Sequence, residues 1–244
     1  MENIDDEFHI ENLTKKQRKI SRMKNIILDG ASELFLNRIN ENVTMSDIAD
    51  SVALSRATLY NYFGTKEEIY FGIGSRYAKE LINKMKKLLD PSKTGLEGLL
   101  SLYEFIFEGL LEFPLIPQIV EKLYLILIDL DLFNSFIDAA IFEDNSAETQ
   151  AKIDSLDEHI IELVKIFISY RRILNAEIRR GKEDGSIQLT LDLLANFSLM
   201  NIIYIGSGSF FKNFQFPLNQ RGITGKNVIN LILRTIRSHL TDLT

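Results

Sequence analysis

No cysteine occurs in the chain, which excludes a disulfide-stapled scaffold and any thiolate zinc site and fits a reducing, cytoplasmic setting. Histidine is scarce too. His9, His159 and His239 lie far apart, none at a ligand spacing such as His-x-x-x-His and none beside a plausible nucleophile. A Gly-rich phosphate loop leading to a lysine is also missing. These absences leave no expected catalytic residue, no metal and no cofactor, so the chain reads as something other than an enzyme. Prolines stand only at positions 91, 114, 117 and 217, and strand-like alternation is nearly absent. The opening MENIDDEF is acidic and has no apolar core, so no secretory signal is expected.

What is present is apolar enough to fold. Hydrophobic residues make up 45% of 244, sufficient for one large domain or a small one joined to a larger one. The formal charge is -6 but unevenly spread. Residues 12–66 hold nine Lys/Arg against five Asp/Glu, while the first 11 residues are purely acidic among their charged positions. A confined positive region in an acidic chain is compatible with a local polyanion site.

Apolar residues three and four apart over long stretches predict an all-α fold. Thr14 can cap a first helix with the stripe Ile20, Met23, Ile27, Ala31, Leu34 and Phe35 and a basic start. Another helix spans about 66–89 with Ile69, Ile73, Tyr77, Leu81 and Met85 at four-residue steps, closed by Asp90-Pro91-Ser92. Further helices are expected near 95–112, 117–140, 150–181, 190–210 and 222–242, with Gly181 and Asp184-Gly185 ending the long one and a loop over 213–225. The expected organisation is a flexible acidic segment 1–13, a helix-turn-helix domain 14–66, a connecting helix 67–90, and a larger helical domain 91–244.

The densest signal is TMSDIADSVALSRATLYNYFGTKEEI, residues 44–69. Thr44 can cap a short helix to about Ser51, with Asp47 returning a carboxylate to the cap. Ser55 can cap a second helix, Arg56 to Phe63, after the three-residue turn Val52-Ala53-Leu54. On that helix Leu59 and Phe63 must face a core, so Ala57, Thr58, Tyr60 and Asn61 point outward with Arg56 and Tyr62 flanking. Such a face suits a major groove, where Arg can read guanine, Asn can read adenine, and hydroxyls reach phosphates. Thr65 then caps the next helix and sets Lys66 and backbone N–H groups at its start as a phosphate clamp. Capped helices with polar outer faces also occur in any small helical subdomain, and periodicity does not separate the two readings.

The stretch, preceded by ILDGASELF, resembles the DNA-binding domain of the TetR family of transcriptional regulators over about 50 residues. The resemblance rests on Ile48, Ala49, Ser55, Thr58, Leu59, Tyr60, Tyr62, Phe63 and Lys66. It implies Arg56, Ala57, Tyr60 and Asn61 as base-edge readers, and Thr44, Ser46, Ser55, Thr58, Tyr62 and Lys66 as phosphate contacts. Lys15, Lys16 and Lys19 would add backbone attraction, or simply form a solvated helix face. The family usually has Gly where this chain has Ala53 and Ile39, with Asn40 a candidate for the left-handed position at the second site. The resemblance further implies a homodimer on a double-stranded, palindromic DNA operator, most often a repressor, released by a small-molecule effector. A helical interaction adaptor that keeps the helix-turn-helix as scaffold is the alternative.

In the large C-terminal part, Leu191, Leu194, Phe197, Met200, Ile202 and Ile205 offer one face for a dimer bundle, and Val228, Ile229, Ile232, Leu233, Ile236 and Leu240 another. The uncharged run 193–211 is long enough to raise a membrane reading, but its Asn, Ser and Gly content favours a buried dimer helix and no membrane. Candidate effector contacts are Tyr103, Phe107, Tyr124, Phe136, Phe167, Tyr170, Asn201 and Tyr204, walled by Leu, Ile and Phe and suited to a flat or long, largely apolar compound.

Overall fold

A computed structural model describes residues 14–37, 43–188 and 193–241 of the protein, which among the described residues form eleven helices and no strand. The all-α expectation holds. Segment 1–13, Ile39, Asn40 and Leu191 lie outside the described residues. The helices group into two compact units, Met1–Ile73 and Gly74–Thr244. The division falls inside a continuous helix, ahead of the Asp90-Pro91-Ser92 break where the sequence suggested it, because the break ends a helix whose later turns already pack with the second unit.

In the first unit, α1 (Lys15–Asn37), α2 (Met45–Ser51), α3 (Arg56–Tyr60) and the start of α4 (Lys66–Leu88) enclose Ile27, Leu28, Ala31, Phe35, Ile48, Leu59 and Phe63. Thr14 and Gln17 exchange hydrogen bonds at the head of α1, 2.8 and 3.2 Å. Ile20 belongs to the expected stripe yet is 38% exposed. It lies in the basic first turns of α1, every residue of which is exposed from Thr14 to Arg22, so the apolar seam closes only from Met23 onward. Gly30 allows the close approach of α1 and α2: a Cβ there would stand 2.5 Å from Val52 Cγ1.

The second unit comprises the rest of α4 with α5 (Gly95–Glu112), α6 (Ile116–Asp129), α7 (Phe133–Ile141), α8 (Ala147–Asp154), α9 (Glu158–Glu183), α10 (Leu193–Asn219) and α11 (Gly225–Thr241). Its core joins Met85, Leu99, Leu102, Ile106, Leu174 and Ile178 with Phe211 and Ile236. Helix α5 starts in a capping box between Thr94 and Glu97. Its first N–H groups are further held by the turn after α9, with Gly95 donating to Asp184 Oδ2 at 2.7 Å and Leu96 to Ser186 Oγ at 3.1 Å. Gly95 also lets α5 meet α9 backbone to backbone, since a Cβ would fall 2.0 Å from the Gly181 nitrogen.

Three expected helices differ. The span 117–140 is two helices, broken where Asp131 takes φ 56° and the Leu132 N–H reaches back to Leu127 O at 2.7 Å. The span 150–181 is likewise two, parted at Ser155–Asp157, with Gly181 internal to α9 and Gly185 at φ 76° just past its end. The expected loop over 213–225 is helical to Asn219, and the turn comes only where Gly222 takes φ 74° and bonds Asn219 O at 3.0 Å. A single Asn does not stop a helix when no left-handed glycine follows it closely. Among the described residues α10 is the one helix long and apolar enough, over Leu194–Phe211, to cross a membrane, and Phe197, Met200 and Phe211 on it are buried in the protein core.

Candidate nucleic-acid interface and effector cavity

Local chemistry sets the helix-turn-helix. Thr44 Oγ1 accepts the Asp47 N–H at 3.2 Å, and Asp47 Oδ2 accepts the Thr44 N–H at 2.8 Å, a reciprocal box that starts α2. Ser55 Oγ accepts the Thr58 N–H at 3.0 Å and starts α3. In the intervening turn Ala53 has φ 53°, the left-handed backbone that a glycine would adopt without strain, at a penalty of roughly 1 kcal/mol. Helix α3 is only the five residues Arg56–Tyr60, shorter than expected. After it, the Asn61 and Tyr62 N–H groups bond three residues back, to Thr58 O at 3.1 Å and Leu59 O at 2.9 Å, so the last turn tightens while Phe63 still reaches the core.

Burying Leu59 and Phe63 turns the other side chains outward. Thr44, Ser46, Ser55, Arg56, Ala57, Tyr60 and Asn61 are exposed, and Thr58, Tyr62 and Lys66 are half-buried. Arg56 lies over the Tyr60 ring, 5.7 Å from its centre, with Nη2 3.4 Å from the Tyr60 hydroxyl. Three of the candidate phosphate contacts have local hydrogen bonds already. Thr44 and Ser55 are caps, and the Thr58 and Ser55 hydroxyls lie 2.8 Å apart. The start of α4 also differs from a bare clamp. Glu68 Oε2 takes the Gly64 N–H at 2.6 Å and Thr65 Oγ1 takes the Glu68 N–H at 3.0 Å, while Glu67 and Glu68 put negative charge in the first turn beside Lys66. Lys15, Lys16 and Lys19 are exposed.

In the second unit a cavity of about 30 Å³ lies among α4, α5, α6, α9 and α10. Seven of the eight sequence candidates line it, namely Tyr103, Phe107, Tyr124, Phe167, Tyr170, Asn201 and Tyr204. Phe136 does not. It is fully buried one layer away, its ring 5.8 Å from that of Tyr124. The Tyr124 hydroxyl donates to Asn201 Oδ1 at 2.9 Å, and Asn201 Nδ2 donates to Phe197 O at 2.8 Å, which fixes this amide's orientation. Burial raises the phenols of Tyr103, Tyr124 and Tyr170, against the opposing charge of Arg171, and raises that of Tyr204. Tyr77 is pushed up to about 12 by burial, helped by Glu112 and Glu80. The walls are neutral phenols and apolar side chains, with the Asn201 amide and the Arg171 guanidinium among them. Space of this size holds one or two waters, so any larger ligand must part the rings.

Sequence reasoning passed over Tyr77, Met200 and Arg171. For Arg171 a signal existed. It sits at the four-residue step after Phe167 on the buried stripe Leu163, Val164, Phe167, Leu174, Ile178, a cation where the helical period calls for an apolar side chain.

Residues 27–73 match the family model of bacterial regulatory proteins, tetR family, a span that includes α2, the strained turn, α3 and the start of α4. Over these residues the chain is similar to the tetR family. The HTH-type transcriptional regulator AlkX of Mycobacterium tuberculosis is 31% identical over 70 residues, 29% of this chain and 33% of that protein. The biofilm operon negative transcriptional regulator IcaR of Staphylococcus aureus is 33% identical over 87 residues, 35% of this chain and 47% of that protein. The chain thus spans about a third to a half of the length of the curated relatives it matches. A tetR-family regulatory protein from Rhodococcus superposes with a TM-score of 0.61 at 14% identity, covering 91% of this chain and 98% of that one. The regulator FadR of Bacillus subtilis, solved with stearoyl-CoA, gives 0.54 at 19% identity, covering 88% and 98%. At such identities the likeness is one of fold.

Proposed function

We propose that this chain is a cytoplasmic, ligand-responsive transcriptional repressor of the tetR family that binds a palindromic DNA operator as a homodimer and is released by a small, largely apolar effector. The observation that carries the reading is the outer face of α3, where Arg56, Ala57, Tyr60 and Asn61 are exposed on a helix anchored by the buried Leu59. These residues would read base edges, and Thr44, Ser46, Ser55, Thr58, Tyr62 and Lys66 would hold phosphates.

A dimer is supported by an exposed stripe on α10. Leu194, Ser198, Ile202, Gly206 and Phe210 follow one another at four-residue steps, with Ile202 70% exposed and open space around Gly206. The apolar faces read from the sequence divide here: Phe197, Met200, Ile229, Ile236 and Leu240 serve the chain's own core, while Leu194 and Ile202 remain outside, as does Leu231, which the sequence reading left out. Pairing through that outside set would bury apolar surface of the kind that homodimers remove from water.

Coupling would run along α4. That helix follows the recognition segment directly and later carries Tyr77, Ala78 and Leu81 of the cavity wall. A ligand that fits only the widened cavity binds one conformer preferentially, which is the condition for shifting a two-state equilibrium. Gly72 and Gly74 are packing positions on this helix, where a Cβ would stand 3.2 Å from Leu28 Cδ2 and 2.8 Å from Ile119 Cγ2 respectively.

The test is selection of bound duplexes from a random pool, followed by titration at several salt concentrations. The expected product is a two-fold symmetric site with half-sites about one helical turn apart, bound with a steep salt dependence. A pool that shows no enrichment would remove the regulator reading in favour of a scaffold role.

A further inference from the structure

Arg171 is 4% exposed and lines the cavity, and among the described residues neither its Nε nor its Nη2 has a hydrogen-bond partner. No Asp or Glu is among the cavity's lining residues. The guanidinium carbon lies 4.7 Å from the centre of the Phe197 ring. The half-buried Arg180, further along α9, shows the contrast. Arg180 bonds Glu177 and the carbonyls of Asp90 and Lys93. A buried cation without a counter-ion is among the most costly arrangements a core can contain, and it becomes favourable once an anion with matching oxygens arrives.

We propose that the effector is an apolar monocarboxylate whose carboxylate pairs with Arg171 inside the cavity while its hydrocarbon body displaces the surrounding rings. The proposal rests on the effector reading above and deepens it. The phenols of Tyr103 and Tyr170, held neutral by burial, can add donated hydrogen bonds to the same anion. The surface beside the cavity argues for a single charge. Tyr77 and Leu81 line both the cavity and an adjoining hollow edged by Glu80, Glu108 and Glu112 with Lys84, and the Tyr77 hydroxyl lies against Gly109, where a Cβ would be 2.3 Å away. Carboxylates close by repel a polyanionic head in proportion to its charge, so a coenzyme A thioester, which also lacks the free carboxylate, fits this site poorly.

The experiment is calorimetric titration of the full chain with hexanoate, decanoate, dodecanoate and 1-naphthoate, the matching alcohols, and decanoyl-CoA. At least one carboxylate is expected to bind ten-fold or more tightly than its alcohol and than decanoyl-CoA. Arg171→Met abolishes that preference and Arg171→Lys keeps part of it. Equal binding of acid and alcohol, a preference that survives Arg171→Met, tighter binding of decanoyl-CoA, or no carboxylate binding at millimolar concentration each overturns the proposal. Because the acid-over-alcohol ratio is read on the unsubstituted chain, the result does not depend on the variants folding. Duplex binding by the same chain without any added probe is measured separately and reports on the regulator reading alone.

Discussion

Arg56 and Tyr60 stand one turn apart on α3, the guanidinium carbon 5.7 Å from the ring centre and Nη2 3.4 Å from the hydroxyl. The stacking holds an otherwise free side chain over the exposed face, at little enthalpic cost to leave because both partners are in water. Arg56→Ala is therefore expected to leave the melting temperature unchanged while weakening binding to the selected duplex by about 1–3 kcal/mol, roughly 5- to 150-fold. Gel-shift or fluorescence-anisotropy titration checks it, with a loss that depends on the base pair under the helix.

Ala53 at φ 53° stores strain in the interhelical turn. Ala53→Gly should raise stability by about 1 kcal/mol, because glycine adopts this backbone freely, less the extra entropy it gains when unfolded. Urea denaturation reads the shift in midpoint, and a destabilised Gly variant would mean that the turn is not left-handed.

Gly30 lies where a Cβ would press on Val52 Cγ1 at 2.5 Å. Gly30→Ala should cost about 1–3 kcal/mol despite alanine's better helix propensity, since α1 and α2 must separate. Denaturation of the variant followed by circular dichroism provides the measurement.

Arg171→Met removes an unpaired buried charge and substitutes a side chain of similar reach. The unliganded variant should be more stable than the parent by an amount on the order of 1–4 kcal/mol, diminished by the lost contact with Phe197, and so melt at a higher temperature. Scanning calorimetry decides the sign.

The cavity phenols set an alkaline limit. Tyr77 is raised to about 12 from an ordinary value near 10, first by burial. A folded-state value above the unfolded one means that the neutral phenol's contribution is intact below about pH 10 and is lost as pH climbs through about 12. Absorbance at 295 nm should show the Tyr77 phenolate together with those of Tyr124, Tyr170 and Tyr204 appearing with unfolding, and Tyr77→Phe should shift that transition upward in pH.

How much was readable in advance follows the range of the interactions. The capping box at Thr44 and the cap at Ser55 are contacts between residues three apart, so spacing alone reveals them. The two breaks in the middle helices were missed because Asp131 and the Ser155–Asp157 turn lack the Gly and Pro that usually mark such places. Seven of the eight cavity candidates came from choosing aromatic and amide groups on middle helices, but Phe136 shows that the choice cannot tell a wall from the layer behind it.

The sequence by itself determined that the chain is helical, where the helix-turn-helix lies, and which of its side chains are turned away from Leu59 and Phe63, because propensity, capping and the 3.6-residue period act within a few residues. Only the tertiary structure decided that Ala53 is left-handed, that α10 keeps Ile202 outside while sinking Met200, and that Arg171 is buried beside phenols with no hydrogen-bond partner for Nε or Nη2 among the described residues. Those outcomes depend on which residues distant in the chain arrive at the same place, and desolvation of a charge has no meaning until the helices that exclude water have packed.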